Sequence, residues 1–263
     1  MLVTAAPRAI AGLLALLAVG ATFGSGAPPR PWKPSVGAAI GYASHRHGVI
    51  GFAVRTRSRS WGWHSRQTFH SASVVKAMML VAYLNRPSVR GRSLTTSDRA
   101  LLDPMIRWSD NDAASAVLGI VGTGALRLVA YRAAMRCFTP VAGWWGMSQI
   151  DAVDQARLFL RIDRLVPRRH RAYALRLLRT VTAEQQWGIA RVRPSGWRLY
   201  FKGGWGSGTD WVDHQVALLT RGHQRVSVAI LTSVDGSRAY GEETLRAIAA
   251  RLLRGLAGAR SVP

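Results

Sequence analysis

Apolar and small or polar residues alternate from Val49 to Thr56, with Ile50, Phe52 and Val54 set against Gly51, Ala53 and Arg55. A period of two predicts a half-buried strand. The apolar run Val36 to Tyr42 precedes it, across the turn Ser44-His45-Arg46-His47-Gly48, and the two are expected to form a hairpin. Trp61-Gly62-Trp63-His64 is expected to start a third short strand. The rhythm then changes. The apolar run carrying Ser73 and Lys76 predicts a helix that starts at Ser73 and reaches about Leu84, stopped by Pro87. Thr95-Thr96-Ser97-Asp98 is a capping cluster for a helix reaching Ile106. Ser109 to Asp112 opens a helix from Ala113 to Ile120, and Gly122-Thr123-Gly124 breaks it. Ala125 to Met135 carries Leu126, Leu128, Val129 and Ala133 at helical spacing. Ser148-Gln149-Ile150-Asp151 caps Ala152 to Ile162, and Ala172 to Val181 follows. Strand patterns return at Trp197–Phe201, Trp211–Leu219 and Arg225–Thr232. Glu242 to Leu256 closes the chain as a helix with Leu245, Ile248, Ala249, Leu252, Leu253 and Leu256 on one face.

Strands therefore lie at both ends and helices between them. The expected class is α+β: one antiparallel sheet built from both chain ends, plus a central all-helical lobe. The expected boundaries are a signal and processing region at 1–27 and one domain at 28–263. Within that domain the sheet lobe takes 36–66 and 197–263, and the helical lobe takes 67–196. The signal reading rests on Arg8 before the short apolar run Ala9 to Ala21, with small residues at its end. Cleavage is expected after Ala21 or Ala27, before the stiff stretch Ala27-Pro28-Pro29-Arg30-Pro31. An uncleaved anchor is the lesser reading.

Charge narrows the partners. Lys and Arg number 36 against 13 Asp and Glu, a formal net charge of +23. Such a surface favours acidic partners, among them an acidic wall polymer or an anionic lipid surface. The basic residues are spread along the chain. Zinc-finger spacing, a glycine-rich nucleotide loop and an RNA-binding aromatic signature are all missing, which disfavours nucleic acid. Cys137 is the single cysteine, so the sequence has no intrachain disulfide and no cysteine-based metal site; a buried structural thiol is expected. His45, His47 and His64 have no metal-ligand spacing and read as surface residues. Oligomeric state is not legible.

The chemistry gathers at three short motifs. Ser73 stands three residues before Lys76, and on a helix those positions share a face. A neutral lysine there can take the serine proton. Taken alone, the pair reads better as an N-cap serine and a surface lysine. Ser109-Asp110-Asn111 taken alone is an ordinary helix N-cap. Lys202-Gly203-Gly204 follows the strand residues Leu199-Tyr200-Phe201. In order and setting the three resemble the Ser-x-x-Lys, Ser-Asp-Asn and Lys-Thr-Gly signature of serine β-lactamases and penicillin-binding proteins. The resemblance runs from about residue 36 to residue 257.

The resemblance implies roles. Ser73 is the acylated nucleophile, with Ser71 a competitor that lacks a lysine three residues on. Lys76 is the general base, Ser109 the proton shuttle and Lys202 its electropositive neighbour. Asn111 holds Lys76 and bonds a substrate amide. The backbone N–H groups of Ser73 and Trp205 form the oxyanion hole. Gly203, Gly204, Trp205 and Ser207 complete the substrate-binding set, and Asp110 is structural. No metal or organic cofactor is implied. Three departures stand out. Gly203 replaces the hydroxyl residue that helps grip a substrate carboxylate. The segment between Lys76 and Ser109 is shorter than the family's. The loop Thr139 to Ser148, where β-lactamases carry their deacylating glutamate, has no acid, and Asp151 and Asp154 lie beyond it. Trp144, Trp145 and Trp205 read evenly as cleft or core.

The leading expectation is an exported serine hydrolase, secreted or associated with the cell envelope. It would act through an acyl-enzyme on a cell-envelope peptide, amide or ester, with poor β-lactam turnover. The alternatives are a weakly active or inactive binding or scaffold protein of the same fold, and a basic surface protein for nucleic acid or anionic wall polymer.

Overall fold

The computed structural model describes residues 1–2 and 31–257. The expected signal segment, its cleavage sites and most of the proline stretch fall outside the described residues.

Among the described residues there are seven strands: β1 (Val49–Arg55), β2 (Ser60–Trp63), β3 (Thr68–His70), β4 (Gln149–Asp151), β5 (Arg198–Gly206), β6 (Val212–Arg221) and β7 (Gln224–Ser233). Five make one antiparallel sheet in the order β2-β1-β7-β6-β5. The pairing of β1 with β7, Val49 opposite Ser233 through Arg55 opposite Ser227, joins the two ends of the chain. The expected α+β architecture is thus what forms.

Eight helices accompany the strands among the described residues: α1 (Val36–Ala43), α2 (Lys76–Leu84), α3 (Pro87–Arg90), α4 (Thr96–Arg107), α5 (Asn111–Arg132), α6 (Ala152–Leu165), α7 (Arg171–Arg179) and α8 (Arg238–Leu252). α1 packs on α8, and α8 lies on β6 and β7; α6 packs against β1, β6 and β7. Two apolar cores result. Ile50, Phe52, Val54, Phe201 and Ile230 join α1 and α8 in one; Ala53, Val216, Leu218 and Leu231 join the helical lobe in the other. The sheet is covered on both faces, so β1 is buried from Ile50 to Val54 rather than half-buried.

Val36–Tyr42 departs from the expected strand. It lies in α1 because Ala39 and Ala43, four residues apart, present one small buried face to α8. Its apolar run holds a helical stripe as well as a strand run, a known ambiguity of short apolar segments. The hairpin expected there is instead β1 with β2. α8 begins at Arg238, a turn before Glu242, because the Ser237 hydroxyl accepts the Tyr240 N–H. β3 pairs with β4, so Gln149–Asp151, expected only as the cap of α6, also forms a strand.

The helical lobe follows its punctuation more closely. Thr95 and Asp98 form a reciprocal capping box on α4. Gly122, at φ 70° and ψ 165°, interrupts α5 where the glycine cluster was expected to break it. α2 is buried along its entire length, which makes it the axis of the lobe. The Cys137 thiol is half-buried beside Arg66 rather than enclosed. His45, His47 and His64 are exposed.

Candidate active site

Residues Ala72–Val75 form a 3₁₀ turn that runs directly into α2. Ala72 takes φ 40°, a conformation uncommon for a residue with a side chain. The turn is tied down by the Ser71 N–H to Ser148 and by the Val74 N–H to Ser71. Ser73 follows Ala72 and lines a cleft of about 360 Å³. Ser71, the competing serine, is fully buried, and its hydroxyl donates to the Trp145 carbonyl at 3.1 Å.

Behind Ser73 lie two buried lysines. Lys76 opens α2, and its Nζ donates to the Ser109 carbonyl at 2.5 Å, to Asn111 Oδ1 at 2.7 Å and to Ser109 Oγ at 3.3 Å. It also sits 4.5 Å from the centre of the Trp145 ring. Burial disfavours its charged form and brings its pKa down to about 7, against a partial opposing pull from Asp110. Lys202 reaches in from β5 and donates to Ser109 Oγ at 3.0 Å and to the Gly203 carbonyl at 2.9 Å. Complete burial holds its pKa well below the usual lysine range, and the charge of Lys76 pushes it the same way. Ser109 Oγ therefore stands between two lysine nitrogens. No hydrogen bond joins Ser73 Oγ to Lys76 Nζ among the described residues. In an unliganded site such contacts are often loose and tighten only around substrate.

Ser109 occupies the joint between α4 and α5 with φ 62°. Asp110 caps α5 by accepting the Ala113 N–H at 2.7 Å. One short stretch serves as a helix cap through Asp110 and as part of the buried cluster through Ser109 and Asn111. Its two readings from sequence describe different residues.

β5 is the edge strand beside this cluster. At an edge, every second N–H points away from the neighbouring strand and is free for another partner. Gly204 lets β5 approach the head of α2: a Cβ there would fall 2.9 Å from the N atoms of Ser73 and Val74 and 3.1 Å from the Ser71 carbonyl oxygen. Gly203 faces the Trp187 ring, and a Cβ on it would come within 3.0 Å of that ring. Trp187 meets Trp205 edge to face, centroids 6.1 Å apart, and the Arg238 guanidinium lies 4.4 Å from the Trp205 ring centre.

Ser207 lies outside the main cleft. It lines an adjoining cavity with Asp213, Asp235 and Arg238, because the 3₁₀ turn Ser207–Thr209 carries it past the end of β5. Gly208 and Thr209 of the same turn do line the cleft. Trp144, Trp145 and Trp205 line it too: Trp144 is 75% exposed, whereas Trp145 and Trp205 line the cleft and also pack against the two cores. Met147 joins them, with no signal in the sequence beyond its neighbours.

The loop Thr139 to Ser148 borders the cleft through Gly143 to Met147 and brings no carboxylate. Asp151 and Asp154 are fully buried and engaged elsewhere. Asp151 caps α6 and pairs with Arg66 at 3.3 Å. Asp154 accepts from Arg157 at 2.6 Å and from the Cys137 N–H at 2.9 Å. These arginines and backbone donors occupy the only cysteine–carboxylate cluster among the described residues, so it is a structural knot rather than a metal centre.

Comparison with known proteins bears on the fold and the family. The β-lactamase of Sphaerobacter thermophilus superposes with a TM-score of 0.74 at 20% identity, over 87% of this chain and 98% of that one. A class A β-lactamase from Mycobacterium abscessus gives 0.71 at 19% identity, over 84% and 99%. An ancestral class A β-lactamase gives 0.69 at 14% identity, over 83% and 98%. At these identities the likeness establishes the fold. No curated protein matches the chain. The model of the β-lactamase enzyme family matches residues 89–256, most of the described chain including Ser109 and Lys202, and the chain belongs to that family.

Proposed function

We propose that the protein is an exported serine hydrolase that acts through an acyl-enzyme on a peptide, amide or ester of the cell envelope, with poor turnover of β-lactams. The observation that carries this reading is the convergence of Lys76 and Lys202 on Ser109 directly behind a cleft-facing Ser73. A structural core has no use for two lysines buried side by side, since each costs desolvation and repels the other.

Ser73 Oγ attacks the carbonyl carbon of the substrate, and its proton passes to neutral Lys76 Nζ. The carbonyl oxygen, now negative, is held by the N–H groups of Ser73 and Trp205, an arrangement worth a few kcal/mol. The tetrahedral centre collapses with cleavage of the bond to the leaving nitrogen or oxygen. The leaving atom takes a proton from Ser109 Oγ, which is refilled from the protonated Lys76. Water then releases the acyl group. Export rests on the apolar run Ala9 to Ala21 after Arg8.

The test is covalent labelling. A fluorophosphonate, a panel of β-lactams and simple activated esters are mixed with the protein, and intact mass is followed over time. A stoichiometric adduct mapping to Ser73 supports the reading. Absence of any adduct across the panel overturns it in favour of a binding protein of the same fold.

The pH dependence of labelling follows from Lys76. A base must be neutral to accept a proton, and burial brings this lysine to about 7. The labelling rate is expected to rise as pH increases through about 7 and to level above it. A rate that falls over that interval would assign the base elsewhere.

A further inference from the structure

A second cavity, of about 520 Å³, opens away from the proposed active site where the ends of α5 and α6 meet the start of α7. Arg132, Arg161, Arg164, Arg168 and Arg171 line it over a floor of Leu165, Val166 and Pro167. No carboxylate lines it. Asp163, the nearest acid in sequence, is spent on Arg225 at 2.6 Å. Arg132 donates to Asn85 Oδ1 and Arg171 to the Asp163 carbonyl. Arg161, Arg164 and Arg168 are exposed and make no hydrogen bond or ion pair among the described residues.

Helix electrostatics account for part of this. Arg132 and Arg164 sit in the last turns of α5 and α6, where a cation suits the negative end of the helix. Arg168 and Arg171 sit at the opposite kind of end. They precede and open α7, whose N-terminus carries no acid in its first turn and no side-chain cap. Arg171 is accounted for by the carbonyl it bonds in the last turn of α6, whereas Arg168 opposes the α7 dipole with no partner among the described residues to explain it. An anion in the cavity would satisfy the guanidinium forks.

We propose that this cavity binds a multiply charged phosphoryl group. Guanidinium matches phosphate oxygens in paired hydrogen bonds, and several arginines around one concavity favour an anion of more than one charge over a single carboxylate. The proposal is independent of the hydrolase reading.

Calorimetric titration with sodium tripolyphosphate and co-sedimentation with phosphatidylglycerol vesicles separate a free oligophosphate from a lipid headgroup. The variant Arg161→Gln/Arg164→Gln/Arg168→Gln is compared with Arg57→Gln/Arg59→Gln/Arg191→Gln, which removes the same charge elsewhere. The single variant Arg168→Glu serves if the triple one misfolds. The cavity variant is expected to lose at least tenfold in affinity for one probe, and the control less than threefold, with serine labelling intact in both. Pocket-dependent binding of tripolyphosphate assigns a soluble ligand, and of vesicles alone a headgroup. Equal losses in the two triple variants, or no binding of either probe, would overturn the proposal and leave bulk surface charge.

Discussion

Ser73→Ala is expected to abolish covalent labelling by every acyl donor that modifies the wild type. Ser71→Ala is expected to leave the label in place, because the Ser71 hydroxyl is turned into the Trp145 carbonyl and away from the cleft. Lys76→Ala is expected to slow acylation by roughly 10²- to 10⁴-fold, the usual worth of a positioned base. That is about 3–5 kcal/mol of barrier. The variant should fold, since it exchanges a buried ammonium for an apolar group and relieves a desolvation cost. Its rate should also lose the rise with pH through about 7 that Lys76 imposes. Adduct formation measured by intact mass, with circular dichroism as the check on folding, decides the matter. A label that survives Ser73→Ala and maps to another serine removes the assignment.

The second large effect separates the two halves of the reaction. In the proposed reaction acylation uses Ser73, Lys76, Ser109 and Lys202; the two lysines meet at Ser109 Oγ, and Ser73 lines the cleft. Deacylation requires a base for water, and the loop at Gly143 to Met147 brings tryptophans and glycines to the cleft but no carboxylate. Asp151 and Asp154 are held by Arg66 and Arg157. A β-lactam that acylates Ser73 is therefore expected to stay attached for minutes or longer. Stopped-flow absorbance and time-resolved mass measure this directly. Rapid multiple turnover without an accumulating adduct would mean that a base reaches the site by another route.

How far the sequence reveals such a site depends on the length scale of its causes. Ser73, Lys76 and Asp110 follow local rules, helical spacing and capping, and the structure places them accordingly. Lys202 meets Ser109 only through packing of β5 against the helical lobe; motif order indicates it, but no local pattern does. Ser207, expected at the substrate, lines the adjoining cavity because a short 3₁₀ segment redirects the chain after Gly206. Val36 to Tyr42 forms a helix rather than the expected strand because its burial is decided by α8, some two hundred residues away. Its own apolar run allows either period. Trp145 reaches Lys76 only through the fold of the loop that carries it, which no local pattern encodes.

The contact between Gly203 and Trp187 makes the third motif epistatic. Restoring the family's hydroxyl by Gly203→Thr would drive a Cβ to within 3.0 Å of the indole, an overpacking that costs about 1–3 kcal/mol. Trp187→Leu removes the obstructing ring and at the same time opens a void. Together the two changes offset each other, so the double variant is expected to be more stable than the sum of the single losses allows. A double-mutant cycle in urea would show this as a coupling energy well clear of zero. Additive losses would mean that the indole swings aside freely. The mutational path from this chain to a Lys-Thr-Gly site thus passes through residue 187 before residue 203.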